Sequence, residues 1–236
     1  MIFLKVAWAR EDSAPTPPAA PPPGNQLLSS DNSQDQEEKE LERFRAAVKV
    51  LDSSKETKEI LGAMEILREG FPKSRPVLTE CVEKDSPAAK CFAIQLLGEK
   101  GEATKDLEVV VKALRDPKSN VRLAAVMAIR HLGKDGFPAL QEYLFRETEA
   151  NNRKMAIKTL QHWGEKAAIP LLVRLLKKEG EKTVRNFLVT ALEALSGKHF
   201  GDNPEAWESY VVDTAIQEQA KVLLLPQKDK NEATKP

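Results

Sequence analysis

Two of the three histidines in this sequence have a spacing that could carry chemistry. His131 and His162 lie 31 residues apart at equivalent points of successive segments. A two-histidine metal site is one interpretation, but the helix dipole also stabilises a histidine near a helix C-terminus, and we favour that structural role. The sequence contains no nucleophile elbow, glycine-rich phosphate loop, HExxH motif or EF-hand loop. We therefore expect a protein that is not an enzyme, with no metal site and no cofactor.

Two further columns of residues recur every 31 positions. One column is basic throughout, and it could bind an acidic partner or phosphate groups, although cations also cap helix C-termini at such positions. The other column varies from copy to copy, as partner recognition on a constant scaffold requires. The basic column consists of Lys84, Arg115, Arg146 and Lys177. The variable column consists of Cys81, Lys112, Tyr143 and Arg174. We predict that Lys112, Tyr143, Arg174 and the four basic residues line a partner-binding surface.

The composition favours a helical chain without a nucleic-acid partner. Charged residues make up 31% and aromatic residues only 6% of the 236 residues, a mixture rich in helix formers. Lys plus Arg and Asp plus Glu both number 36, so the basic excess typical of nucleic-acid binders is missing. Two cysteines, Cys81 and Cys91, are too few for a disulfide framework or a four-cysteine zinc site. We predict that both are buried thiols, with a disulfide as the alternative if the protein is exported.

The two ends of the chain differ in composition from its middle. Residues 1–9 are apolar apart from Lys5 and end in an Ala-Trp-Ala pattern that resembles a signal cleavage site. Two interpretations remain open, a disordered start or the remnant of a signal peptide, so the location stays open between cytoplasmic and exported. We predict a disordered Pro/Ala-rich leader over residues 1–36 and a disordered charged tail over residues 226–236. No stretch has the roughly 18 apolar residues that span a membrane.

Repeats fill the chain between these ends. Successive segments end at Arg68, Gly98, Gly133, Gly164 and Ser196 and have apolar residues at helical spacing. Three of them stop at Gly, which is favoured just past a helix end. In the segments that follow, two apolar columns keep a strict 31-residue spacing. The columns are Leu78, Val109, Leu140 and Leu171, and Val82, Ala113, Leu144 and Leu175. A single helix pair cannot bury its apolar face alone, so the pairs must stack into a common core.

The segment from Asp116 to Ala125 resembles the start of a HEAT repeat, with an Asp-Pro turn followed by Val-Arg. Val184-Arg185 repeats the Val-Arg pair, and the resemblance extends over about residues 56–220, after an opening helix near residues 38–51. It implies an all-α fold over residues 37–225, a right-handed α-α superhelix of about five helix pairs. In such stacks the second helices form the concave face.

The last repeat departs from the others between Gly197 and Trp207. This segment resembles the Gly-x-x-Phe-Gly-x-(Asn/Asp)-Pro-x-x-Trp sequence that ends many bacterial HEAT-repeat proteins. We predict a structural cap, with Pro204 opening the final helix and Phe200 and Trp207 covering the end of the apolar stack. A ligand-binding loop is the alternative.

The resemblance implies a protein-interaction scaffold that binds a peptide or protein partner on the concave second-helix face. We expect a monomer without a transmembrane segment. The alternatives are HEAT-like enzymes or chromophore- and nucleic-acid-binding proteins, similar to phycobilin lyases or alkylpurine glycosylases. A glycosylase needs a basic groove with aromatic residues and a catalytic Asp, whereas the net charge is zero and Trp163 occupies a packing position. A lyase needs a tetrapyrrole pocket, which no motif indicates.

Overall fold

The computed structural model describes the backbone of residues 27–224 and the side chains of residues 34–217 and 219. This part of the chain contains eleven α-helices and no strand. The helices, numbered α1 to α11 in chain order, are Leu27–Ser53, Thr57–Glu69, Arg75–Lys84, Pro87–Lys100, Ala103–Ala113, Ser119–Leu132, Phe137–Arg146, Ala150–Trp163, Ile169–Lys178, Lys182–Ser196 and Pro204–Leu224.

After α1 the helices form five successive pairs, α2 with α3 through to α10 with α11. The predicted all-α, HEAT-like stack of about five helix pairs is thus confirmed. We call α2, α4, α6, α8 and α10 the first helices, and α3, α5, α7, α9 and α11 the second helices. The chain divides into two compact units at Glu40 and Leu41. All five pairs belong to the second unit, and within the described residues the first unit contains only the beginning of α1.

The predicted domain boundary between residues 36 and 37 falls inside α1, which begins at Leu27. No Gly or Pro interrupts the sequence between Leu27 and Ser53, so nothing in it stops the helix from extending through this polar stretch. Most of the predicted disordered leader, residues 1–26, and the predicted tail, residues 226–236, lie outside the described residues.

The apolar columns form the core of the second unit. Leu78 and Leu140 are fully buried, and Leu171 is 6% exposed. Val109 and Leu175 are half-buried at the margin of the same cluster. Fully burying one such aliphatic side chain contributes about 1.5–3 kcal/mol, so the stack depends on these shared columns.

Glycine ends two of the three first helices that were predicted to stop there. Gly133 and Gly164 follow α6 and α8 with φ of 112° and 64°, a region that side chains avoid. Gly98 is different, because α4 continues to Lys100. A Cβ on Gly98 would lie 2.6 Å from the Cα of Ala128 on α6. Gly98 therefore permits the close approach of two first helices, and the prediction that it ends a helix was wrong.

A recurrent ion pair ties each of the last four first helices to a loop of its own repeat. The cation is the fourth residue of the helix, and the carboxylate lies in the loop beside the second helix. The pairs are Lys90–Asp116, Arg122–Glu147, Arg153–Glu179 and Arg185–Asp202. The carboxylates of Asp116, Glu147 and Glu179 also accept backbone N–H groups of their own loops, so they order the chain just before the next first helix.

Candidate functional site

The basic column lies where the second helices end. The side chains of Lys84, Arg115, Arg146 and Lys177 are 66%, 66%, 42% and 53% exposed, so all four reach solvent. Each carries a carboxylate partner. The Nζ atom of Lys84 lies 3.1 Å from a carboxylate oxygen of Glu80, one turn earlier on α3.

Carboxylates from neighbouring helices neutralise the rest of this column. Glu142 on α7 pairs with Arg115 at 3.0 Å, across from the end of α5, and with Arg146 on its own helix at 3.6 Å. Lys177 lies 2.8 Å from Glu208 on α11, and this hydrogen bond raises the pKa of Lys177. The second-helix face therefore alternates in charge and is not a uniform cationic stripe. Exposed pairs of this kind are screened by salt and contribute little to stability.

The variable column does not lie on one continuous surface. Lys112 and Arg174 are exposed, as expected of partner-binding residues. Cys81 and Tyr143 are each only 1% exposed. Tyr143 is therefore not part of the exposed second-helix face, and the expectation that its side chain points outward was wrong.

A buried polar network explains the position of Tyr143. Its hydroxyl donates a hydrogen bond to Glu147, whose side chain is 0% exposed. Glu147 also accepts two bonds of 2.8 Å from Arg122 and one of 3.2 Å from Asn152. Burial would raise the pKa of Glu147, but the hydrogen bonds from Arg122 and Tyr143 outweigh it and lower the pKa to about 2. Burial is the largest cause that raises the pKa of Tyr143, and the neighbouring Glu147 raises it further.

Equivalent residues of α7 and α9 lie 32 positions apart, not 31, because the two helices begin at residues 137 and 169. The fully buried Leu140 and Leu172 keep this offset. Phe145 therefore corresponds to the exposed Lys177. Phe145 is 50% exposed, so α7 presents an aromatic ring on the second-helix face where α9 presents a cation.

Phe145 lies next to a cation without a carboxylate partner. The guanidinium carbon of Arg174 is 5.6 Å from the centroid of the Phe145 ring, within cation–π range. Among the described residues Arg174 forms no ion pair, unlike Arg115 and Arg146 nearby. Sequence reasoning missed Phe145, because the fixed 31-residue spacing aligns it with Leu114 and Leu176 instead of with the exposed Lys177.

The predicted cap residues meet at the end of the last pair. Trp207 is fully buried, and its indole N–H donates a 2.9 Å hydrogen bond to the carbonyl of Gly201. The ring of Phe200 meets it edge-on with the centroids 4.8 Å apart, although Phe200 remains 36% exposed. Helix α11 begins at Pro204, after Asn203 accepts the backbone N–H of Ala206.

The two aligned histidines and the two cysteines differ in their exposure to solvent. His131 and His162 are both exposed, Cys81 is buried, and Cys91 is half-buried with a free thiol. Burial raises the pKa of both thiols, which keeps them protonated and unreactive at neutral pH. No group of three or more His, Cys, Asp or Glu within the described residues could hold a metal ion.

Comparison with known proteins supports the architecture over the middle of the chain. Residues 75–144 match the family model of HEAT repeats. This segment runs from the start of α3 into the last turn of α7. No curated protein sequence matches the chain. Over the part of the chain that the structure describes, no helix is both long enough and apolar enough to cross a membrane.

Proposed function

Since the chain carries HEAT repeats, which generally act as protein-interaction scaffolds, we propose that it binds a peptide or protein partner on its second-helix face. In HEAT stacks this is the concave face. The partner contacts Phe145 and Arg174 at the centre of the surface, and the paired charges of the basic column surround them. HEAT repeats are typically non-enzymatic, and we propose a non-enzymatic role here.

The exposed Phe145 ring is the observation that carries this proposal. It is 50% exposed where α9 carries the exposed Lys177, and a half-exposed phenylalanine loses part of the free energy that burial would supply, about 1.5–3 kcal/mol for a full side chain. Large aromatic rings and arginines are the residues most enriched at the energetic centres of protein interfaces. Phe145 and Arg174 form such a pair on one surface.

The surrounding charges support a partner of mixed charge. Arg115, Arg146 and Lys177 alternate with Glu142 and Glu208 on this face. Such a rim contributes register and specificity more than affinity, because each exposed pair is screened by salt. We infer a partner with an apolar side chain for Phe145 and an adjacent carboxylate for Arg174.

Affinity capture with matched variants tests the proposal. Phe145→Ser and Arg174→Glu alter the centre of the surface, whereas Leu61→Ser alters a 59% exposed leucine on the first helix α2 and serves as control. We expect one partner to be retained by the wild-type chain and by the Leu61 variant but lost from both others. If capture by the Phe145 and Arg174 variants equals that by wild type, the second-helix face is not the binding surface.

A further inference from the structure

Two neighbouring first helices contain no acidic residue. Neither α6 nor α8 has an Asp or Glu, whereas both carry several cations. Arg122 and Arg153 are used in the recurrent ion pairs with their loops. The remaining cations, Arg130, Lys154 and Lys158, form no ion pair with any carboxylate of the described residues. We call the surface formed by these three residues the basic first-helix face.

The cations of the basic first-helix face lack the carboxylate partners that cations of the second-helix face have. Each cation of the basic column has a carboxylate within 4 Å. On α8 the ammonium groups of Lys154 and Lys158 lie instead over the ring of Phe187, 5.8 and 4.9 Å from its centroid. The ring holds the two lysines together without neutralising them. In a chain of zero net charge, these cations give the face a local excess of positive charge.

An apolar groove runs beside this face, between α4 and α6. Its volume is about 250 Å³; Leu123, Ala124 and Met127 form its side on α6, and Gln95 and Glu99 form part of its side on α4. The carboxylate of Glu99 is paired with Arg68 at 3.3 Å. Met127 is 46% exposed although its side chain is apolar. Leu123 and Met127 precede Lys154 and Lys158 by one repeat of 31 residues, so each lysine stands level with an apolar groove residue on the adjacent helix. Packed helices lie about 8–10 Å apart, a distance that a few residues of an extended peptide can cross.

We propose that the basic first-helix face and this groove form a second binding surface, which takes an acidic peptide segment of a partner protein. An apolar side chain of the peptide enters the groove beside Met127, and its carboxylates face Arg130, Lys154 and Lys158. This surface lies on the first helices and goes beyond the partner proposed for the second-helix face. The groove accepts a side chain but offers no protruding apolar ridge for a bilayer. The lysines cover the Phe187 ring, so no open aromatic ring is available for stacking on bases.

Binding of a designed peptide to the full chain tests this surface. The probe is a fluorescein-labelled peptide of repeated Glu-Glu-Leu, followed by fluorescence anisotropy at low salt, with the Gln-Gln-Leu version as the uncharged probe. We expect binding of the acidic probe that weakens with salt and is absent for the uncharged probe. Reversing the three charges of the basic first-helix face should weaken binding about tenfold or more, and changing them to Gln should give an intermediate loss. The reversal variant is Arg130→Glu, Lys154→Glu and Lys158→Glu.

A matched variant on the other face separates this surface from non-specific attraction. It reverses the same number of charges in the basic column, at Lys84, Arg115 and Arg146. We expect its affinity for the acidic peptide to fall less than about threefold. Circular dichroism checks that each variant is folded, and the Gln variant decides the outcome if the reversal variant is not. Equal losses on both faces would overturn the proposal. So would tighter binding to phosphatidylserine vesicles or to single-stranded DNA than to the peptide, with the same dependence on the three cations.

Discussion

Replacing Trp207 by Ala should destabilise the last repeat strongly. The side chain is fully buried, contacts the rings of Phe200 and Tyr210, and donates its N–H to the Gly201 carbonyl. Truncating a buried tryptophan typically costs about 3–5 kcal/mol, and the Gly201 carbonyl can recover a water molecule because its loop is close to solvent. We therefore expect a loss of about 3–5 kcal/mol in a urea titration. Phe200→Ala removes a ring that is 36% exposed, so its loss should be clearly smaller.

The location of the damage distinguishes a cap from an ordinary core residue. Stability in a stacked array is close to a sum of repeat and nearest-neighbour terms, so the loss should fall first on α10 and α11. Amide hydrogen exchange in the Trp207 variant should accelerate from about Val184 onward, while the amides near Val109 in α5 stay protected. A ligand-binding loop would leave exchange native throughout. Unchanged protection around Val184, or an equal acceleration near Val109, would refute the cap.

Three further predictions concern the core, the buried network and the close helix contact. Leu140→Ala should cost about 2–5 kcal/mol in a urea titration and Lys84→Ala less than about 1 kcal/mol; similar losses would contradict the assignment of buried and exposed columns. The pKa of Glu147 is lowered from 4.5 to about 2, so its stabilising effect is complete above pH 4.5 and is lost as the pH falls towards 2. This loss is roughly 3 kcal/mol, and Glu147→Gln should flatten that part of the curve of unfolding free energy against pH; an unchanged slope would refute the role of the network. Gly98→Val should lower the melting temperature, because the new side chain would meet Ala128 on α6; a melting temperature equal to that of the wild type would show that α4 and α6 do not approach this closely.

The helix pairs and their core could be predicted from the sequence because both depend on local periodicity. Leu78, Leu140 and Leu171 recur at one spacing and are buried in the same cluster. Gly133 and Gly164 also act as the local rules require. Gly98 shows the limit of such rules. A glycine is needed there because Ala128, which lies 30 residues away in sequence, leaves no room for a side chain.

The exposed centre of the second-helix face could not be predicted in the same way. A fixed 31-residue spacing assigns Tyr143 to the column of Lys112 and Arg174, although α7 and α9 begin 32 residues apart. The burial of Tyr143 is also accompanied by its hydrogen bond to Glu147, which accepts further hydrogen bonds from distant residues. The partners of the basic column were missed for a similar reason. Arg115 and Glu142, for example, are brought together only by the packing of α5 beside α7.

Photo-crosslinking from position 145 tests the proposed partner surface most directly. Benzoyl-phenylalanine replaces Phe145 in one variant and the exposed Leu61 of α2 in the other, and both are irradiated in cells that express the chain. We predict one discrete crosslinked protein from position 145, which is absent from position 61 and disappears when Arg174→Glu is added. Crosslinks to the same protein from both positions, or a discrete crosslink from position 61 alone, would contradict binding at the second-helix face.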